Sequence, residues 1–331
     1  MQPKVLKLDQ KLDRICSGSY TPQDFIIADA KDGDIGGGAG ATGIDGNTGL
    51  AKPASFYRLA MKEMIASGLV DIMLMSLSSA EALAEQGEYL SHDVTPAVRL
   101  NEGTDIWGYR GANYRAHPAQ PFRTARIDRA RALCNLGLYA VTFYNDVERD
   151  VATLDAYSQF RGEASAAGMR HFLEVFNPAF SIDTGDEDIG VYINDSIVRC
   201  LAGVARADRP LFLKMQYNGA RAMAELAEFD PENLIVGILG GSAGTARDTF
   251  ELISQAERFG ARVALFGRKI YFSEDPVEIV RSMRRVVERE VSPEEAVVAY
   301  HDHLIKTGKT PIRNLETDRE VTDPILKAEA K

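Results

Sequence analysis

Eight short apolar runs punctuate the chain, at 24–30, 70–76, 95–101, 138–145, 169–176, 209–217, 233–241 and 262–270. Apart from isolated polar residues they are continuously hydrophobic rather than cleanly alternating, the pattern of parallel strands covered on both faces. The segments between them, among them 56–68, 126–137, 220–229 and 247–260, carry helical periodicity, and several end in glycine, a common helix terminator. Eight strands alternating with helices predict an α/β fold, a (β/α)8 TIM barrel in place of an open doubly wound sheet. No linker or compositional break divides the 331 residues, so a single domain is expected, with the barrel over about 24–290 and a C-terminal helix and tail over 291–331. Ser292, Pro293 and Glu295 form a helix-start signature of N-cap, N1 proline and capping box. The polar segment 306–331 is expected either to drape over the barrel or to join a subunit contact.

Composition narrows the function classes. Hydrophobic residues make up 45% and charged residues 26%, an ordinary globular balance. A net charge of −10 and a pI near 5.2 argue against nucleic acid or an anionic membrane as partner, and any anionic ligand needs a local basic pocket. Residues 1–16 contain no apolar stretch suited to a signal peptide, and no run approaches a membrane span. Cys16, Cys134 and Cys200 are odd in number and widely spaced, which fits reduced thiols in a cytoplasmic protein, with Cys134 and Cys200 as small core residues. The five histidines form no ligand cluster, so neither metal nor cofactor is expected.

Chemistry in this fold gathers at the C-terminal ends of the strands. Lys214 stands late in the sixth run, and Gln216 shares its face by the two-residue period. Thr142 and Tyr144 end the fourth run, and Glu174 lies late in the fifth, so tyrosine, glutamate and lysine converge on neighbouring strands. Two readings of Lys214 stand side by side. Desolvation makes a buried lysine an amine nucleophile toward carbonyls; alternatively, Lys214 and Glu174 are a structural ion pair. Asp29 and Lys31, at the end of the first run, are further candidates. Gly240, Gly241, Ser242 and Gly244 after the seventh run, with Gly267 and Arg268 after the eighth, suit a phosphate cradle of backbone N–H groups and a helix N-terminus, or else simply tight turns. Segment 36–43 matches GxGxxG formally but is followed by no helix, and reads as a flexible loop over the mouth. The long loop 101–124, with Trp107, Tyr109, Arg110 and Arg115, is either a lid or a subunit contact.

Together these segments resemble the class I aldolases of the archaeal-type fructose-bisphosphate, tagatose-bisphosphate and deoxyribose-phosphate superfamily. The likeness rests on KMQYNG at 214–219, VRLNEGTDI at 98–106, AVTFYN at 140–145, GILGG at 237–241 and FGRKI at 266–270. FLEVFNP at 172–178 is closer to the tagatose-bisphosphate and deoxyketogluconate-phosphate branches. The resemblance implies Lys214 as Schiff-base lysine and Tyr144 as acid/base, with Glu174 assisting. Asp29 is placed in the catalytic set; Arg99, Asn101, Gln216 and Lys31 join the glycines and Arg268 in substrate binding. It implies cleavage of a phosphorylated ketose to dihydroxyacetone phosphate and an aldehyde by a homo-oligomer. A thiolase-like, lysine-dependent acyl transferase of the same superfamily and an inactive sugar-phosphate-binding barrel are the alternatives. Lys269 stands where the family has asparagine, and the glycine-rich loop is longer than the family's.

Overall fold

A computed structural model of the chain describes residues 6–87, 92–241 and 244–330. Eight parallel strands close on themselves: β1 (Ile26–Lys31), β2 (Ile72–Met75), β3 (Thr95–Arg99), β4 (Leu136–Thr142), β5 (Arg170–Phe176), β6 (Leu213–Met215), β7 (Gly237–Leu239) and β8 (Val263–Phe266). Their order round the barrel follows the chain, and β1 meets β8 from Ile26 opposite Val263 to Asp29 opposite Phe266. The predicted (β/α)8 barrel is therefore the fold.

The continuous hydrophobicity of the runs follows from this closure. Even-numbered residues of β1, including Ile26, Ala28 and Ala30, fill the lumen with Ile72, Leu74, Leu138, Ala140, Phe172, Phe212 and Leu265. Odd-numbered neighbours such as Ile27, Met73, Tyr139, Val141, Leu173 and Met215 belong to the larger shell between sheet and helices. Small residues on β1, β3 and β4 leave room for the stacked rings of Phe172 and Phe212, whose centroids lie 4.7 Å apart. A strand with both faces buried has no polar side to alternate with.

Several local expectations are met and others are revised. The helices Ala54–Ser67, Ala220–Phe229 and Ala246–Arg258 lie where the periodicity placed them. So does Pro293–Lys306, with its Ser292–Glu295 capping box. Between 126 and 137, however, only Ile127–Arg131 is helical, because β4 begins at Leu136 and takes the end of the periodic stretch. The glycine-rich segment is two short helical turns, Gly33–Gly37 and Gly38–Thr42, and not an open loop. Its close packing explains the glycines. A Cβ at Gly36 would stand 2.8 Å from the Ile106 carbonyl oxygen, and the Gly36 carbonyl accepts from Gly108 N–H at 2.8 Å. The C-terminal tail drapes over the helix Ala246–Arg258, with Leu326 buried and its carbonyl accepting from Gln255 Nε2 at 2.8 Å. Among the described residues no helix is long and apolar enough to cross a membrane.

The opposite end of the lumen is closed by a helix that the strand pattern does not reveal. Lys7–Cys16 turns Leu8, Leu12 and Ile15 into the barrel floor. Polar pairing locks it there. Asp71, fully buried ahead of β2, accepts from Ile27 N–H at 2.9 Å and pairs with Lys7 at 3.2 Å, Lys11 at 3.0 Å and the Arg284 guanidinium. Burial alone would raise the Asp71 carboxyl, but Arg284, Lys11 and Lys7 together pull it down to about 2. A carboxyl depressed from its ordinary 3.8 contributes stability that is complete above the unfolded value and lost as pH falls through the folded one. Acid unfolding should therefore draw on this group between about pH 4 and pH 2. Asp71→Asn leaves buried cations without their counter-charge. It should lower stability by about 3–5 kcal/mol in urea unfolding at neutral pH and remove that part of the acid transition. Parent-like urea and acid curves would show that the cluster contributes nothing.

Candidate functional site

Strand register builds the site. Glu174 on β5 stands directly opposite Lys214 on β6, and Ala140 of β4 stands opposite Glu174 on its other side. Lys214 shares the inward parity of Phe212, and Glu174 that of Phe172. Both are buried, Lys214 at 5% and Glu174 at 1% exposure. Lys214 Nζ lies 2.6 Å from Glu174 Oε1. The other carboxylate oxygen, Oε2, accepts from Arg99 Nη2 at 2.6 Å, so the guanidinium at the end of β3 reaches across β4. Arg99 Nε in turn donates to Asp32 Oδ2 at 2.7 Å, just beyond β1. Four alternating charges thus run Asp32–Arg99–Glu174–Lys214 at the C-terminal ends of four strands. Burial pushes the Asp32 carboxyl up, but the charges of Arg99 and then Lys214 outweigh it and hold the group below its ordinary range. Arg99 Nη1 is buried with no hydrogen-bond partner among the described residues.

Tyr144 forms a second centre beyond the end of β4. Its hydroxyl donates to Asp105 Oδ2 at 3.1 Å, and Thr142 Oγ1 donates to the same oxygen at 2.6 Å. Phe180 stacks on the phenol ring at 5.5 Å. Burial, followed by the Asp105 carboxylate, pushes the phenol well above its ordinary value. No hydrogen bond joins Tyr144 to Lys214 or Glu174 in this structure. The long loop that carries Asp105 is ordered by its own contacts. Glu102–Gly103 pairs with Pro121–Phe122, and Trp107 packs edge-on against Tyr114 at 4.9 Å and Phe122 at 5.1 Å.

Not every expected residue joins these centres. Asp29 and Lys31 share the outward parity of Ile27, and Lys31 Nζ lies 2.6 Å from both Asp29 oxygens with its charge 5.3 Å from the Tyr271 ring. Burial raises the Asp29 carboxyl. The period of two thus puts this pair behind the sheet, and Asp32, one residue on, takes the place at the mouth. Asn101 spends its amide on the backbone of β4, donating to the Ala140 carbonyl at 2.8 Å and accepting from Ala140 N–H at 2.6 Å. It continues the β3–β4 ladder where main-chain pairing ends. Gln216 Oε1 accepts from Asn177 N–H at 2.8 Å, tying the β5 loop to β6.

The glycine loops after β7 and β8 do meet. A Cβ at Gly240 would strike the Phe266 ring at 2.8 Å, and one at Gly267 the Ala30 carbonyl at 2.5 Å. Gly241 has φ +64°. Exposed Arg268 bridges the loops, donating from Nη2 to the Gly241 carbonyl at 3.2 Å. Ser242 lies outside the described residues. The nearby helix N-terminus is already capped from within the chain: Asp318 Oδ1 accepts from Ala246 N–H at 2.8 Å, and Asp248 accepts from Thr245 N–H at 3.1 Å. The Gly240 N–H is itself spent on the Leu265 carbonyl at 3.2 Å, which leaves Gly241, Gly267 and Arg268 of the expected cradle. Burial pushes the Lys269 ammonium down, and its Nζ donates to Thr249 Oγ1 at 3.4 Å.

Asp32 and Asp105 are the residues that strand-end reasoning missed. Asp32 was reachable by extending the inward parity of Ala28 and Ala30 by one more step. Asp105 carries no periodic signal, since only the fold of a long loop brings it to Tyr144.

No family model matches the sequence, and no curated protein does. Solved structures share the fold. An archaeal fructose 1,6-bisphosphate aldolase superposes with a TM-score of 0.61 at 14% identity, over 85% of this chain and 99% of its own. An archaeal fructose-1,6-bisphosphate aldolase with its catalytic lysine covalently bound to the carbinolamine intermediate of its substrate gives 0.61 at 16% identity, over 85% and 99%. The fructose-bisphosphate aldolase of Slackia heliotrinireducens gives 0.60 at 15%, over 91% and 95%. At these identities the similarity is one of fold.

The charge chain itself is open to test. Arg99→Leu leaves two buried carboxylates facing a single ammonium, and stability should fall by about 3–5 kcal/mol in urea unfolding. Arg99→Lys restores the charge without the two-pronged geometry and should recover only part of the loss. A parent-like midpoint for Arg99→Leu would show that the guanidinium does not hold the network together.

Proposed function

We propose that the chain is a class I aldolase that cleaves a phosphorylated ketose. The observation that carries this reading is the buried Lys214 ammonium placed 2.6 Å from a carboxylate at the C-terminal end of a barrel strand. A lysine there must lose a proton before it can attack, and Glu174 is the adjacent acceptor. The amine adds to the ketone carbon, the carbinolamine loses water, and the protonated imine draws the electrons of the breaking C–C bond. The proton of the neighbouring hydroxyl leaves through Tyr144 as the aldehyde departs. The enamine is then protonated and hydrolysed, releasing dihydroxyacetone phosphate and restoring Lys214. The lysine-linked intermediate described for an archaeal aldolase of the same fold supports this reading.

Borohydride added with a cleavable ketose phosphate should fix the mass of the retained fragment on the peptide bearing Lys214. Lys214→Met, similar in volume but unable to form an imine, should show no adduct, and turnover in the parent should survive EDTA. Labelling at another lysine would remove Lys214 from the mechanism. Dependence on coenzyme A would identify acyl transfer, and binding without turnover an inactive barrel.

The phosphate is assigned to the backbone of Gly241 and Gly267 with the Arg268 guanidinium, a short-range attraction within an acidic protein. Arg268→Ala removes a charge-assisted contact of about 1.5–3 kcal/mol, so KM for the phosphorylated substrate should rise roughly ten- to a hundredfold. A non-phosphorylated analogue should be affected far less. Equal losses on both, with no competition by inorganic phosphate, would make the loop pair structural.

A further inference from the structure

The Tyr144 phenol poses a problem for the aldolase reading. Burial and the Asp105 charge keep it protonated at neutral pH, so it is a poor base on its own. Its surroundings offer a way round this. The hydroxyl points its proton at Asp105 Oδ2, 3.1 Å away, and Asp105 is itself 5% exposed. Thr142 Oγ1 holds the same oxygen at 2.6 Å and fixes the carboxylate in line with the phenol. Of the other groups around Tyr144, Asp150 on the following helix is engaged by the Tyr144 backbone N–H at 2.8 Å, and Phe180 offers only a ring face. The Ala119 backbone N–H favours the ionised phenol, but to a lesser degree than burial and Asp105 oppose it.

We propose that Asp105 is the terminal proton acceptor of a relay through Tyr144, and that the long loop 101–124 exists to deliver it. This rests on the aldolase reading and extends it to a residue outside the strands. In the cleavage step the substrate O–H bond breaks and its proton bonds to Tyr144 Oη. The original phenol proton passes to Asp105 Oδ2, giving a neutral carboxylic acid. The electron pair left on the substrate oxygen becomes the second bond of the aldehyde carbonyl, while the C–C pair moves to the iminium. No phenolate forms, and the reverse transfers restore both groups. Asp105 acts through Tyr144, as a positioning and proton-accepting residue behind the reacting group. The docking of Gly36 on Ile106 and Gly108 and the Trp107 ring cluster hold the loop that carries it.

The test separates this relay from the reading on which it rests. In the parent, borohydride trapping of a ketose phosphate on Lys214 reports the imine; absence of the adduct would sink the aldolase reading and the relay with it. If trapping succeeds, Asp105→Asn should form the same adduct while kcat falls roughly 10²–10⁴-fold. Turnover in that variant should climb about tenfold per pH unit on the alkaline side, because Tyr144 must then ionise to act. Its tyrosinate absorbance, taken as a difference from the same variant carrying Tyr144→Phe, should appear at lower pH than in the parent. Asp105→Glu, which keeps a carboxylate, should recover much of the lost rate. A parent-like kcat and pH profile for Asp105→Asn, or an unmoved Tyr144 ionisation, would overturn the relay. Should Asp105→Asn not fold, single-turnover cleavage by the parent in mixtures of light and heavy water decides the matter. A curved dependence is expected for two protons in flight, and a linear one refutes it.

Discussion

The Glu174 carboxylate, shared between Arg99 and Lys214, is the interaction around which the mouth of the barrel is organised. A carboxylate buried to this degree costs several kcal/mol unless both oxygens find strong partners. Here one oxygen takes the ammonium of the next strand and the other the guanidinium from two strands away, each at 2.6 Å. The arrangement constrains the sheet. Lys214 must stand opposite Glu174, and β4 must present a small residue between Glu174 and β3, a place filled by Ala140. Any one-residue slip between β5 and β6 would turn the lysine out of the lumen and leave the acid with Arg99 alone.

The lumen is thus polar at one end and apolar at the other, and each end is closed by a different device. At the floor, Leu8, Leu12 and Ile15 plug the barrel and Asp71 gathers cations around itself. The floor cluster is locked by side chains already paired, and serves packing. At the mouth, the guanidinium of Arg99 keeps a nitrogen without a hydrogen-bond partner among the described residues, and the β7 and β8 loops present glycine backbone.

The mouth also depends on segments remote in sequence. Asp318 of the tail caps the helix that follows β7, and the glycine turns after β1 dock on the aromatic loop after β3. Tyr144 has its acid partner only because that loop folds back over β4. Such contacts tie the position of the acid/base candidate to loops, whereas Lys214 and Glu174 are held by rigid strands.

Much of this was legible in the residues. Eight buried runs with intervening amphipathic helices determine a closed parallel barrel, because strands covered on both faces need apolar residues at every position. The same period places Lys214 and Glu174 inward on neighbouring strands, and the capping signature at Ser292 starts its helix unaided. Other features were decided by tertiary structure alone. The parity of β1 is set by the neighbours it packs against, which sent Asp29 and Lys31 outward and Asp32 to the mouth. The shortened helix at Ile127–Arg131 reflects capture of Leu136 by a sheet ladder. Asp105 reached Tyr144 through a loop whose path is fixed by contacts between distant segments. Local periodicity encodes which face of a strand or helix is buried; it carries no information about which distant residues meet there.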